Sequence, residues 1–204
     1  MNANKQVLIF IVVIVIFLTI GGISLILYQK KMYSDTFFKY SGFAVHKVSD
    51  GPLEEYEITL YIGENKQPYV INSRYNPKDL EGIKIYDNIR KDLVKEKLYI
   101  TMEPNLSSKA VIAFAEIDKY FENPYIFNLP TFPALIREIA NNTLPVITCN
   151  DVTSTTSVIF FKIGEKNEIY NQQGCVVLEA ITEEDLIKLA DRLSLTALGV
   201  MSGR

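Results

Sequence analysis

Residues 97–117 read KLYITMEPNLSSKAVIAFAEI, and the order of residue types in that stretch decides the fold class. Lys97–Met102 is a short run rich in β-branched and aromatic side chains, the composition of a strand. Glu103-Pro104-Asn105-Leu106 interrupts it with turn-forming residues. Ser107 or Ser108 then supplies a helix N-cap. In the helix that follows, Ala110, Val111, Ile112, Ala113, Phe114, Ala115 and Ile117 leave almost no polar face. That pattern predicts burial on nearly every side, on a sheet and under another layer. A strand feeding directly into a helix implies an α/β or α+β fold, a mixed sheet with packed helices.

Toward the carboxyl end the same reading continues. Pro133–Asn142 predicts another helix, and Pro145-Val146-Ile147-Thr148-Cys149 the next strand. Ser157–Ile163 and Glu168–Tyr170 predict a hairpin across Gly164-Glu165-Lys166-Asn167, and Cys175–Ala180 predicts a final strand. The last helix is the most legible element. Thr182 and Asp185 have the spacing of a capping box, with Asp in place of Glu, and Glu183 and Glu184 lie in the first turn, where the helix dipole favours acids. Leu186, Leu189, Ala190, Leu193, Ala197, Val200 and Met201 follow a helical spacing that demands a core-facing stripe. Glu184 and Lys188 are placed as a surface i,i+4 pair.

Toward the amino end the chain turns β-rich. Tyr40–Val48 has strand composition, and Tyr56–Ile62 and Pro68–Asn72 flank Gly63-Glu64-Asn65-Lys66 as a hairpin. A short helix is predicted over Tyr86–Lys95. Before all of this, Val7–Tyr28 reads VLIFIVVIVIFLTIGGISLILY and carries no charge. At about 1.5 Å per residue it extends roughly 33 Å as a helix, enough to cross a hydrocarbon core of about 30 Å. A cleaved secretory signal has a shorter apolar region and small residues at its exit, whereas here the exit is Leu27-Tyr28-Gln29-Lys30-Lys31. The expected organisation is a tail over 1–6, a transmembrane helix over 7–28, a stalk over 29–37 and a globular domain over 38–204. That domain divides by composition into a β-rich part, 38–96, and an α/β part, 97–204.

The bilayer is thus the first expected partner, and the orientation cues conflict. Lys30 and Lys31 follow the span while Lys5 precedes it, a bias that favours a cytoplasmic domain. Long domains translocate largely regardless of that charge. Two cysteines, Cys149 and Cys175, and two glycosylation sequons, at Asn105 and Asn141, favour an extracytoplasmic one. So does acidity: all 24 acidic residues but only 18 of the 21 basic ones follow residue 31, a net −6. The whole chain, at −3, is too weakly charged to bind a polyanion by a basic surface, so nucleic acid is not an expected partner. Twelve Tyr and eleven Phe exclude disorder. One His and two Cys cannot complete a four-ligand zinc finger, and no metal or cofactor is expected.

Few residues invite chemistry. If oxidised, Cys149 and Cys175 hold two strand ends with Cα atoms about 6 Å apart and stabilise the fold by roughly 3 to 4 kcal/mol. The alternative is a pair of buried thiols. The run Asn150-Asp151-Val152-Thr153-Ser154-Thr155-Thr156 suits a cation or a sugar, and equally suits turns that bond their own backbone. If the strands ending at Met102 and Cys149 are parallel, Glu103, Asn105, Ser107, Ser108, Asn150 and Asp151 gather on one carboxyl edge, where α/β sheets bind ligands. His46 reads as an ordinary strand residue. Ser107 and Ser108 diverge from Lys109 on a helix and make no dyad. No phosphate loop, HExxH or GxSxG occurs.

Thr143–Cys149 resembles the strand end that carries the sortase cysteine. Transpeptidation of that kind needs a thiolate, a histidine and an oxyanion-steadying arginine. Here the one histidine is His46, and the arginines after Cys149 are Arg192 and Arg204, not on the strand that follows. An envelope enzyme using Cys149 therefore stands as an alternative, beside a cytoplasm-facing accessory subunit of a membrane complex. Tyr99–Ala110 and the stretch from Cys149 through Cys175 to Met201 resemble uncharacterised small membrane-anchored proteins of archaea. The acidic turn and helix near Glu183-Glu184-Asp185 is similar to units of archaeal S-layer proteins. The resemblance covers roughly a third of the chain and contains no catalytic motif. It implies a place in the cell envelope, among other envelope or membrane proteins, and no activity. The leading expectation is a non-catalytic extracytoplasmic binding or assembly module. Because the last helix carries a core stripe, truncation before Thr182 is expected to abolish the cooperative thermal transition, and a sharp melt of the truncated domain by circular dichroism contradicts that stripe's role.

Overall fold

The computed structural model describes residues 3–50 and 53–203. Helix α1 spans Ala3–Thr36 and passes at once into strand β1, Phe37–Tyr40. The residues expected to form a stalk therefore continue the helix up to Thr36. Ser41 and Gly42, both with positive φ, turn the chain into β2, Phe43–Asp50. Two consecutive left-handed residues match the twist of flanking strands, which is what a two-residue hairpin requires. With β3, Leu53–Ile62, and β4, Gln67–Ser73, these strands form an antiparallel meander in the order β1-β2-β3-β4. Val45, Ile58, Leu60 and Ile71 lie on its buried face.

The second sheet has six strands, in the order β5-β9-β10-β8-β6-β7. They are β5, Lys84–Ile85; β6, Lys97–Met102; β7, Thr131–Leu135; β8, Thr156–Ile163; β9, Glu168–Gln172; and β10, Cys175–Ala180. Strands β10, β8, β6 and β7 run parallel, and β9 pairs antiparallel with β10. The fold is mixed α+β. The short helix α2, Ile89–Leu93, the helix α3, Ser108–Phe121, and the helix α4, Glu183–Ala197, complete it.

Helix α4 is the element buried on nearly every side. From Leu186 to Leu195 only Lys188 is not buried. Ser73 at the end of β4 bonds to Asp191 of α4, while Val176, Leu178 and Ala180 of β10 share its apolar core, so α4 lies between the two sheets. Helix α3 packs beside it with Ala110, Ala113, Ile117 and Phe121 inward, yet Val111 is 60% exposed and Ile112 37%. The expected all-round burial of α3 is therefore corrected. The inner position went to α4, and α3 keeps an apolar flank in solvent.

Three other expectations change. Residues 133–142 are not a helix: Thr131–Leu135 is the edge strand β7, where Pro133 costs no ladder bond, and a loop follows. Residues 145–149 are not a strand of the sheet; they cross its far face, touching it through one bridge, Leu135 with Val146. Ile147 N donates to Leu135 O at 2.9 Å and Thr101 Oγ1 to Ile147 O at 2.7 Å. Thr101, which this segment contacts, is fully buried, as are Val158 and Val177. Finally, β8 and β9 are not a hairpin, because β10 inserts between them. The hairpin is β9 with β10, across Gln173 and Gly174, both with positive φ.

Between α4 and the first sheet lies a buried acid. Asp191 Oδ2 accepts from Tyr75 N at 3.0 Å and sits 2.9 Å from Ser73 Oγ, which in turn is 2.9 Å from Tyr75 O. A hydroxyl has one proton, and a carbonyl can only accept. If Ser73 donates to Tyr75 O, its bond with Asp191 requires the proton of a neutral carboxyl. Burial, reinforced by the charge of Glu116, pushes Asp191 up to about 7. Glu116, also buried, carries Arg74 and Lys119 as partners. A carboxyl with a raised folded-state pKa binds more protons folded than unfolded between about pH 4 and 7, so stability falls as pH rises through that window. Asp191→Asn is expected to flatten this slope, gaining on the wild type by more than about 1 kcal/mol from pH 4 to 8 in denaturant titrations; parallel curves for the two proteins contradict a neutral Asp191.

Candidate functional site

The parallel strands β6, β8 and β10 end at one edge, at Met102, Ile163 and Ala180, and α3 and α4 begin there. Where strands hand over to helices, the backbone must turn, and the diverging turns leave an open cleft of about 630 Å³. Its lining is Glu103, Asn105, Leu106, Arg137, Phe160, Lys162, Ile163 and Glu183.

Each polar side chain has a local reason for its place. Ser107 caps α3, its Oγ accepting from Lys109 N at 3.3 Å. Glu183 reaches across from the first turn of α4: its Oε2 accepts from Ser107 N at 2.7 Å and from the Ser107 hydroxyl. A carboxylate at a helix amino end is favoured by the dipole, so this contact ties the starts of α3 and α4 together. Thr182 caps α4, accepting from Asp185 N at 3.2 Å and donating to Asp185 Oδ2 at 2.8 Å. Lys188 pairs with Asp185 rather than with Glu184, at 2.8 Å, and Glu184 instead pairs with Lys109 of α3, also at 2.8 Å. Glu184 and Asp185 are both held below the usual carboxylate range, chiefly by those lysines.

On the floor, Lys162 of β8 stands directly opposite Glu179 of β10. They bond at 2.9 Å, and Tyr170 donates to the same carboxylate oxygen at 3.0 Å. Lys162 keeps Glu179 below the ordinary carboxylate range although burial acts the other way. Gly164 has no side chain because a Cβ there would overlap the Glu179 carboxylate. Arg137, from the loop after β7, meets Glu103 at 3.5 Å with its side chain 64% exposed. The cleft thus sets the apolar Phe160 and Ile163 beside residues of opposite charge, Arg137 and Lys162 with Glu103 and Glu183.

The expected polar cluster is divided. Glu103 and Asn105 line the cleft, Ser107 stands on its rim and Ser108 is exposed in the first turn of α3. Asn150 and Asp151 are elsewhere. The crossing segment carries them to the opposite end of the sheet, where Cys149 lies against Cys175 at the start of β10, Cα atoms 5.1 Å apart and at disulfide distance. Asp151 spends its carboxylate on Thr148, accepting from its backbone N at 2.8 Å and its hydroxyl at 2.9 Å, a capping box over the 3₁₀ turn Cys149–Asp151. The turn reading of that polar run is the one the structure follows. His46 sits on β2 beside Glu57 at 3.6 Å, and Arg192 is inside α4, so neither stands with Cys149. The sequon residues Asn105 and Asn141 are both exposed. Among the described residues no group of three or more His, Cys, Asp and Glu is placed to hold a metal ion.

Sequence reasoning missed Arg137, Phe160, Lys162, Glu179 and Glu183. A signal did exist: Lys162 and Glu179 are the charged residues in two strands that carry no other charge, a pattern that calls for a partner across the sheet. No protein-family model, curated protein or solved structure matches the chain.

The cysteine pair closes a separation of 26 residues and pins the crossing segment to the sheet. Replacing both cysteines by serine is expected to cost about 3 kcal/mol in chemical denaturation and to expose residues 143–153 to proteolysis first. An unchanged stability and cleavage pattern argues against that role.

Proposed function

We propose that this chain is a single-pass, membrane-anchored, non-catalytic module of the cell envelope, its domain on the extracytoplasmic face and its partner another envelope or membrane protein gripped at the carboxyl-edge cleft. The carrying observation is α1. Its window Val13–Lys30 has a mean hydropathy of 1.9 and no part of it is buried against the domain, so its apolar side chains need another solvent. A helix of 34 residues is about 51 Å long, more than a bilayer core demands. The excess leads straight into β1 and holds the domain close to the surface.

The pairing of Cys149 with Cys175 supports an oxidising compartment, and the exposed sequon residues agree with it. The cleft supports recognition of a polypeptide: Phe160 and Ile163 offer an apolar seat, and Arg137 and Glu103 offer opposite charges at the rim. The opposite orientation, as a cytoplasm-facing accessory subunit, draws its support from Lys30 and Lys31 after the span.

Membrane fractionation with protease added to intact spheroplasts separates the two orientations. The expected result is a chain that pellets with membranes and loses its domain before lysis; protection until lysis favours the cytoplasmic alternative, and a chain left in the supernatant removes the anchor. A photo-crosslinking side chain at Arg137 should give adducts with envelope proteins in intact membranes, and one at Glu64, on the far turn of the first sheet, should not. Equal yields from both positions count against the cleft.

A further inference from the structure

Arg192 lies in the middle of α4 and is 4% exposed. Taking a guanidinium out of water costs several kcal/mol unless a carboxylate answers its charge. Here the partners are neutral. Arg192 Nη2 donates to Ser202 O at 2.8 Å, and Nε to Ile83 O at 3.3 Å. Burial accordingly lowers its pKa, against the pull of Tyr40 and Glu81 nearby.

A guanidinium has five N–H donors, and these bonds use two. The remaining donors are not sealed in the interior: among the described residues, the buried side-chain atoms without a partner are Asp191 Oδ1 and Ser194 Oγ. Arg192 opens instead on a pocket of about 320 Å³, lined also by Tyr40, Ser41, Glu81, Met201 and Ser202. That volume is at the small end of ligand sites. Glu81, also in the lining, is exposed, and burial together with the nearby Glu81 raises the Tyr40 phenol's pKa. Glu81 makes no ion pair with Arg192. A guanidinium and a carboxyl side chain thus line the same small space with no ion pair between them, and Tyr40, Ser41 and Ser202 complete its polar lining.

A bare anion drawn to Arg192 meets repulsion from Glu81, and a bare cation drawn to Glu81 meets Arg192. A molecule that carries both charges on neighbouring atoms meets neither penalty. We propose that this pocket binds a small zwitterion, a free α-amino acid, with its carboxylate on Arg192 and its ammonium on Glu81. Met201 then forms the apolar wall for a short side chain. This site is separate from the carboxyl-edge cleft and does not depend on what that cleft binds.

The test follows the Nε–H resonance of Arg192 by ¹⁵N NMR in the full chain in detergent micelles, titrated with glycine, acetate or methylammonium. Glycine is expected to give a saturable shift at concentrations at least about tenfold below those at which acetate or methylammonium acts. Glu81 is exposed, so Glu81→Gln should fold; it should weaken glycine about tenfold while leaving acetate unchanged or tighter. Acetate equal to glycine makes this a plain anion site and overturns the proposal. So does the absence of any shift, which leaves Arg192 as a tie between α4 and two backbone carbonyls, and so does a Glu81→Gln chain that binds glycine as the wild type does.

Discussion

A helix enclosed between two sheets must be apolar on more than one face, and whatever polar groups it does carry must be answered inside the protein. Helix α4 lives under that constraint. Its Leu186, Leu189, Ala190 and Leu193 join the apolar core. Asp191 meets the end of β4 through Ser73 and Tyr75. Arg192 ties the helix to Ile83 and Ser202. Together with α3, whose Glu116, Lys119 and Tyr120 reach Arg74 and Asn72 at the end of the meander, it joins the meander to the mixed sheet.

The same demand for answered charge organises the rest. Glu116 has Arg74 and Lys119; Glu179 has Lys162 and Tyr170; Glu183 has the amino end of α3. Each of these acids is fixed by a partner from another element, so they act as cross-links between layers as much as charges. Two such cross-links, Lys162 with Glu179 and Ser107 with Glu183, fix the strand ends and helix starts around the open cleft at the carboxyl edge.

The far face of the second sheet is covered differently. An antiparallel layer or a helix is the usual solution. Here a single irregular segment crosses the face, anchored at one end by its bridge to β7 and at the other by the cysteine pair. Such a segment has no period for a sequence pattern to display. Its apolar residues Val146 and Ile147 read as a strand because a short apolar run looks alike in either setting. Residues 133–142 misled for a related reason: Pro133 at the start looked like a helix N1 residue, and is instead a proline tolerated on an edge strand.

Local chemistry by itself determined a good deal. The 7–28 apolar run, the hairpin around Gly63–Lys66, the strands at 97–102 and 175–180, a serine cap at 107 or 108 and α4 with its Thr182 cap depend on neighbours within a turn or two, and short-range rules suffice for them, although Val200 and Met201 of the expected stripe lie beyond the helix end at Ala197. Tertiary structure alone decided the strand order that inserts β10 between β8 and β9, the assignment of the inner position to α4 rather than α3, and the parting of Asp151 from Glu103. Those outcomes depend on which surfaces meet across dozens of residues, and a free-energy difference between alternative packings leaves no mark on any one stretch of chain.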